Sequence, residues 1–311
     1  MSSSFLKSAA LIAATLLSPL LPAHAAAPAV DLSPEQPDRI RVDRVEEAIT
    51  ALPAGFHFVS PGKLTVASVP NRLPFAAYAT DTRTPVGGEP DIAQLVADSL
   101  GLELELIPVA WADWPLGLVS GKYDAVIHNV TVTEERKEKF DFATYRSDLL
   151  GWYVAAASPI THIDSAADIA GLKVSVSSGT NQEQILLRWI EENQAKGLPA
   201  TEVLYFDDQP VLDLALQSGR IDAYLGPNAT SAFQAAQEGK TRAVGTLSGG
   251  WPVTAEIAVA VKKGSGLAPA ISTALNAQIA SGAYARTLAR WNLSAEAIAE
   301  SRVNPPGLPK K

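Results

Sequence analysis

The chain has 311 residues, 47% of them hydrophobic, enough for one large or two ordinary domains with full cores. Its net charge of -8 gives no basic footprint for nucleic acid. With no cysteine and 4 histidines, none at ligand spacing, we expect no disulfide framework, no metal site and no cofactor.

The first residues carry one lysine, an apolar run from Ala9 to Leu21 and the small-residue triplet Ala23-His24-Ala25. That pattern reads as a secretory signal over residues 1–25, cleaved before Ala26. The run is short for a membrane span and is interrupted by Pro19 and Pro22. Residues 26–60 form an extension expected to pack on the globular body, with a disordered spacer as the alternative: a Pro- and Ala-rich linker from Ala26 to Asp38, read as disordered, and then a short helix. Asp38 is its expected cap, because Val42, Val45, Ile49 and Leu52 fall at helical spacing and Pro53-Ala54-Gly55 ends the run. From Leu64 strands and helices alternate: LTVASV a strand, DIAQLVADSL a helix, LELELI a strand, Trp114 to Ser120 a helix, YDAVI a buried strand. After Gly151-Trp152 the alternation restarts with LKVSV, a helix from Asn181 to Lys196, EVLYF, VLDLALQSG and IDAYL. EIAVAV and helices from Leu267 to about Trp291 close the series. Two βαβ series imply two parallel-sheet lobes.

The stretch Gly121 to Phe142 carries the most chemistry. A buried strand runs into a polar turn bearing His128, Asn129, Thr131 and Thr133, then a charged helical turn with Arg136. Strand ends that deliver polar groups into a crevice are where open α/β sheets bind small molecules. A guanidinium there fits a carboxylate in two-point geometry. The alternative for Arg136 is a structural ion pair with Glu135, Asp141 or a neighbouring carboxylate. Thr131 also reads as a capping-box N-cap with Glu134, a role compatible with an anion site at the helix start.

The series G-K-Y-D-A-x-I and T-x-T-x-E-R, preceded by GGEPDIAQLVADSLGLELELIPVAW, resembles the family 3 periplasmic solute-binding proteins, the polar amino-acid receptors of bacterial ABC importers. LKVSVSSGTNQE, LALQSGRIDAYLGP and VAVKKGSGLAPAISTALNAQIASGAYARTLARWNL follow in the family's order, so the resemblance covers roughly Leu64 to Leu293. It implies an α/β, two-lobed type 2 periplasmic-binding-protein fold, each lobe a mostly parallel sheet flanked by helices and joined by a two-segment hinge. Lobe 1 would take residues 61–151 and 256–300, lobe 2 residues 152–255, leaving 301–311 as a tail. The crossovers would fall near Gly151 and Gly249-Gly250.

By the same resemblance Arg136 clamps the ligand's carboxylate and Thr131 presents a hydroxyl or N–H to it. Asn129 would face the cleft, and His128 either faces it or packs behind it. Trp111 would line the cleft, with Trp114 in the core. Thr180 and Asn181, opening a helix in lobe 2, would complete the cradle with their N–H groups. Glu183 reads as the capping partner of Thr180. Two departures stand out. The Asp that holds an α-ammonium in such receptors is Pro227 here, with Asn228 beside it, and the usual stacking aromatic is Arg72. Arg72 either sits as a solvated loop residue or faces the cleft; in the second case two arginines and one carboxylate fewer favour a ligand more negative than a neutral or basic amino acid.

The implied function is a monomeric periplasmic receptor that closes over a carboxylate-bearing amino acid or related organic anion and hands it to an ABC permease. It would not be lipid-anchored, because the cysteine that tethers many such receptors is absent. The alternative is a cyclohexadienyl dehydratase-like enzyme on the same scaffold, for which Glu183 is the nameable general acid.

Overall fold

The computed structural model describes residues 30–206 and 208–310; the expected leader and its cleavage point lie outside them. In chain order the elements are α1 (Glu46–Thr50), β1 (Lys63–Ser68), β2 (Ala77–Tyr78), β3 (Pro85–Val86), α2 (Gly88–Ser99), β4 (Glu103–Pro108), α3 (Trp114–Val119), β5 (Ala125–Thr131), β6 (Phe140–Ser147) and β7 (Leu149–Ala155). They continue with β8 (Lys173–Ser175), α4 (Asn181–Ala195), β9 (Glu202–Leu204), α5 (Gln209–Gln217), β10 (Ala223–Pro227), α6 (Asn228–Glu238), β11 (Thr241–Ser248), β12 (Glu256–Lys262), α7 (Leu267–Ala280) and α8 (Ala283–Arg290). One five-stranded sheet runs β4-β1-β5-β12-β6, the other β11-β7-β10-β8-β9.

These two sheets are the two lobes, and the chain passes between them twice. Both are mixed rather than mostly parallel. β1 pairs in parallel with β4 and β5, and β8 in parallel with β9 and β10. β12 and β6, like β11 and β7, run antiparallel because they lead into and out of the crossovers. β7 already belongs to the second sheet, so the first crossover is the single residue Asp148, ahead of Gly151. The second runs from Gly249 to Ala255.

Each lobe has its own core. In the first, Trp114, Leu118, Tyr123, Phe140 and Phe142 pack between α3 and the sheet. In the second, Trp152 stacks on Trp189 with centroids 5.6 Å apart, and Trp251 of the second crossover meets Trp189 edge-on. Aromatic pairs of this kind add about 1 kcal/mol beyond the area they bury. The opposite face of the second sheet carries Tyr153 and Tyr224 against Leu212 and Leu216 of α5.

The extension packs on the first lobe rather than forming a spacer, but its local structure differs from the sequence reading. From Asp31 the chain is bound to the first lobe: Gln36 is buried, donates to the Asp31 and Ser33 carbonyls, and accepts from Arg290. Arg39 pairs with Asp91 at 2.7 Å and Arg41 grips Asp98 in two-point fashion. These anchors on α2 hold residues 39–45 out of helical geometry, so α1 starts at Glu46 with Val45 as its cap, not at Asp38. The expected disorder of the linker therefore fails for its described portion.

The tail is likewise built in. Edge strand β6 takes up residues 302–304, with Thr144 N–H donating to Arg302 O and Asn304 N–H to Phe142 O, both at 3.0 Å. Leu308 then exchanges backbone bonds with Val132 and Glu134, and Gly307 N–H reaches the Glu134 carboxylate at 2.7 Å. Pairing of this kind covers an otherwise open sheet edge.

Candidate functional site at the lobe junction

β5 does not stop at Ile127 but runs through His128, Asn129 and Thr131, placing the polar run on a strand rather than in a turn. Asn129 sits at φ +46°, a left-handed conformation that asparagine tolerates better than most residues. Its Oδ1 accepts from Arg146 Nη2 at 2.8 Å. Thr131 is not the cap of the following turn; Thr133 Oγ1 accepts from Arg136 N–H instead. That frees Thr131 to meet the other lobe.

Arg136 lies between the lobes. Nη1 donates to Thr131 O at 2.9 Å, and Nη2 reaches Gly179 O across the junction at 3.4 Å. The guanidinium lies 5.7 Å from the Trp111 ring centroid and 6.0 Å from that of Trp114, within cation–π range. No described carboxylate comes within ion-pair distance of it. Asp141, one alternative partner, pairs with Lys263. Burial pushes the guanidinium down to about 10, against the pull of Asp148 and Glu135. A desolvated cation bound only by carbonyls and ring faces lacks its counter-charge.

The other expected residues have different occupations. Trp111 is partly buried, edge-on to His128. His128 is buried behind it, Nδ1 has no hydrogen-bond partner, and desolvation lowers the ring to about 4, so it stays neutral. Thr180 caps α4: its hydroxyl donates to Ser177 O at 2.6 Å and accepts from Glu183 N–H at 3.3 Å. Glu183 turns back to Gly179 N–H at 2.7 Å, which leaves the nameable acid of the enzymatic reading in a capping role. Asn181 Nδ2 donates to Asp148 Oδ2 at 2.9 Å and to Gly249 O. Asn228 opens α6, its Oδ1 accepting from Tyr153 OH at 3.0 Å. Arg72 crosses to the second lobe and pairs with Asp213 of α5 at 3.0 Å, while its Nη1 is buried without a partner.

Two residues of the junction escaped the sequence reading: Asp148 and Asp213. Both alter the charge balance. The positive charge expected from Arg72 is offset by Asp213, so the site does not carry two uncompensated arginines. Asp148 sits where the lobes join, its carboxyl raised by burial against the hydrogen bonds of Thr131 and Asn181 and the charges of Arg146 and Arg136. Behind it Arg146, fully buried, binds both Glu89 and Glu296. Asp148 gives no motif signal, because it falls between the stretch that ends at Phe142 and the restart of the alternation at Gly151-Trp152.

Comparison with known proteins bears on this architecture. The profile of the bacterial extracellular solute-binding proteins, family 3, matches residues 64–294. The chain belongs to that family. The L-cystine-binding protein TcyJ of Escherichia coli (strain K12) is 35% identical over 165 residues, 53% of this chain and 58% of TcyJ, so the match spans little more than half of that relative. The arginine-binding protein ArgT of Corynebacterium glutamicum is 27% identical over 88% of this chain and 87% of its own. Among solved structures, an ancestral arginine-binding protein bound to arginine superposes with a TM-score of 0.64 at 28% identity, covering 74% of this chain and 98% of that one. These neighbours have the type 2 periplasmic-binding fold, in agreement with the two-lobed architecture.

Proposed function

We propose that this chain is the substrate-binding receptor of an ABC importer, working as a monomer in the periplasm. It captures an amino acid or related carboxylate-bearing anion between its lobes and delivers it to a membrane permease. The observation that carries this reading is Arg136, a guanidinium at the lobe junction bound to two carbonyl oxygens and two indole faces with no described acidic partner. A ligand carboxylate would supply the missing charge, and Asn181 and Gly179 of the opposite lobe stand beside it at the start of α4. Because the groups come from both lobes, ligand binding favours the closed state over an open one. The relatives' names, cystine- and arginine-binding, point to amino acids as the class to test first. Residues 61–148 and 256–300 serve as one jaw and 149–255 as the other, a division supported by strand membership of the two sheets. The binding role is preferred to a catalytic one because Glu183 is engaged by the helix it caps.

Isothermal titration of the purified chain with acidic, neutral and basic L-amino acids and with dicarboxylates tests the proposal. We expect at least one amino acid to bind, and Arg136→Ala to weaken it by about 100-fold or more, as for loss of a charge-assisted, two-point contact. Unchanged affinity in that variant would remove the central claim.

A further inference from the structure

Amino-acid receptors need an acceptor for the α-ammonium as well as a clamp for the carboxylate, and the β10–α6 turn offers no carboxylate for it. Pro227 has no side-chain acceptor, and Asn228 Oδ1 is taken by Tyr153 OH. We propose that Asp148, the hinge residue, is the ammonium acceptor, so that the ligand is a zwitterionic α-amino acid read by Arg136 at one end of its head group and by Asp148 at the other. This rests on the carboxylate-receptor reading above.

Position comes first. Asp148 and Arg136 flank one residue, Thr131: Arg136 Nη1 donates to its carbonyl at 2.9 Å, and its hydroxyl donates to Asp148 Oδ2 at 2.7 Å. The carboxylate and ammonium of an α-amino acid hang from one carbon, so their two receptors must be close neighbours. Availability comes second. Asp148 Oδ2 accepts from Thr131 and Asn181, whereas Oδ1 accepts nothing from any described residue. Among the other acidic groups near Arg136, Glu135 is exposed to solvent, and the rest are occupied. Asp213 takes Arg72, Gln209 and Gln234. Glu89 takes Arg146 and Tyr145, and Glu183 takes Gly179 N–H. Rigidity comes third. Asp148 N–H donates to Ala255 O and its carbonyl accepts from Gly249 N–H, both at 3.0 Å, which ties the two crossovers together. A Cβ on Gly249 would lie 2.2 Å from the carboxylate, so glycine is needed there to let it sit between the strands. With one hydrogen bond from each lobe already fixing Oδ2, the acceptor is oriented before the ligand arrives.

The test pairs L-arginine, L-glutamine and L-cystine with their α-deaminated analogues, which keep the side chain and carboxylate. Titration calorimetry on the wild type should show the amino acid at least about 100-fold tighter than its analogue. Asp148→Asn keeps the acceptors for Thr131 and Asn181. It should weaken the amino acid by about 10- to 100-fold while leaving the analogue within about threefold. A variant that keeps the wild-type preference for the amino acid overturns the assignment and leaves the Arg136 reading intact. A wild-type chain that binds none of the three refutes both. A structure of the wild type with bound amino acid needs no variant to fold: the α-nitrogen should lie within hydrogen-bond distance of Asp148 Oδ1, and an α-nitrogen held elsewhere refutes the assignment.

Discussion

Two buried titratable groups in the first lobe pull stability in opposite directions across the same pH range. Glu296 is shifted from 4.5 to about 7 by burial, the attraction of Arg146 being outweighed together with the repulsion of Asp148 and Glu89. Arg146 can balance one carboxylate, and it faces two. A carboxyl raised on folding binds its proton more tightly in the native state, so its contribution is full below 4.5 and is lost as pH rises to about 7. The size is about 3 kcal/mol. His128 has the opposite sign. Desolvation lowers it from 6.5 to about 4, so native stability is lost as pH falls through that window, again by about 3 kcal/mol. Between roughly pH 4.5 and 6.5 the two slopes oppose each other. Glu296→Gln keeps an acceptor for Arg146 and removes one slope. Urea denaturation followed by tryptophan fluorescence at pH 4.5, 5.5, 6.5 and 7.5 should show the variant gaining on the wild type with rising pH, by about 3 kcal/mol over the range. A difference that stays constant with pH would mean that Glu296 remains ionised throughout, with Arg146 holding both carboxylates charged, and would refute the reasoning.

Two further outcomes are expected. Arg72→Ala removes an ion pair that joins the lobes through side chains 12% and 18% exposed, so the closed state should weaken by about 1 kcal/mol. Small-angle scattering of the ligand-free variant should then give a larger radius of gyration; wild-type dimensions would show that the pair does not hold the lobes. Truncation after Ser301 removes four backbone hydrogen bonds made by residues 302–308, and should lower unfolding stability by on the order of 2–4 kcal/mol. Unchanged urea midpoints would contradict a bracing role for the tail.

What could be seen in the sequence follows the range of the interactions. Alternating apolar runs are local, and they placed α3, α4, α5 and β12 within a residue or two of their observed ends. Arg136 was visible because its context, T-x-T-x-E-R, is contiguous. The partners that set the charge of the site are far apart in the chain. Arg72 meets Asp213 at a separation of 141 residues, and Arg146 meets Glu89 and Glu296 at 57 and 150. No periodicity encodes such pairs. The helix expected from Asp38 failed for the same reason: Val42 and Val45 fit its spacing, but Arg39 and Arg41 are held by Asp91 and Asp98 on α2, and those ion pairs override local propensity.

On the proposed assignment the hinge and the recognition site are one structure, and that couples binding to closure. Asp148 is the only residue between β6 and β7, and its backbone holds the second crossover at Ala255 and Gly249. Its carboxylate takes a hydrogen bond from Thr131 in one lobe and from Asn181 in the other, so opening the lobes must break at least one of them. Losing a partner leaves a buried carboxylate less well solvated by the protein, at a cost of about 1–3 kcal/mol. The cost favours closure even before a ligand binds, while Arg136, still without a counter-charge, opposes it. A carboxylate on Arg136 removes that opposition. On that assignment the same two side chains set ligand affinity and lobe angle, and a substitution at either should move both together.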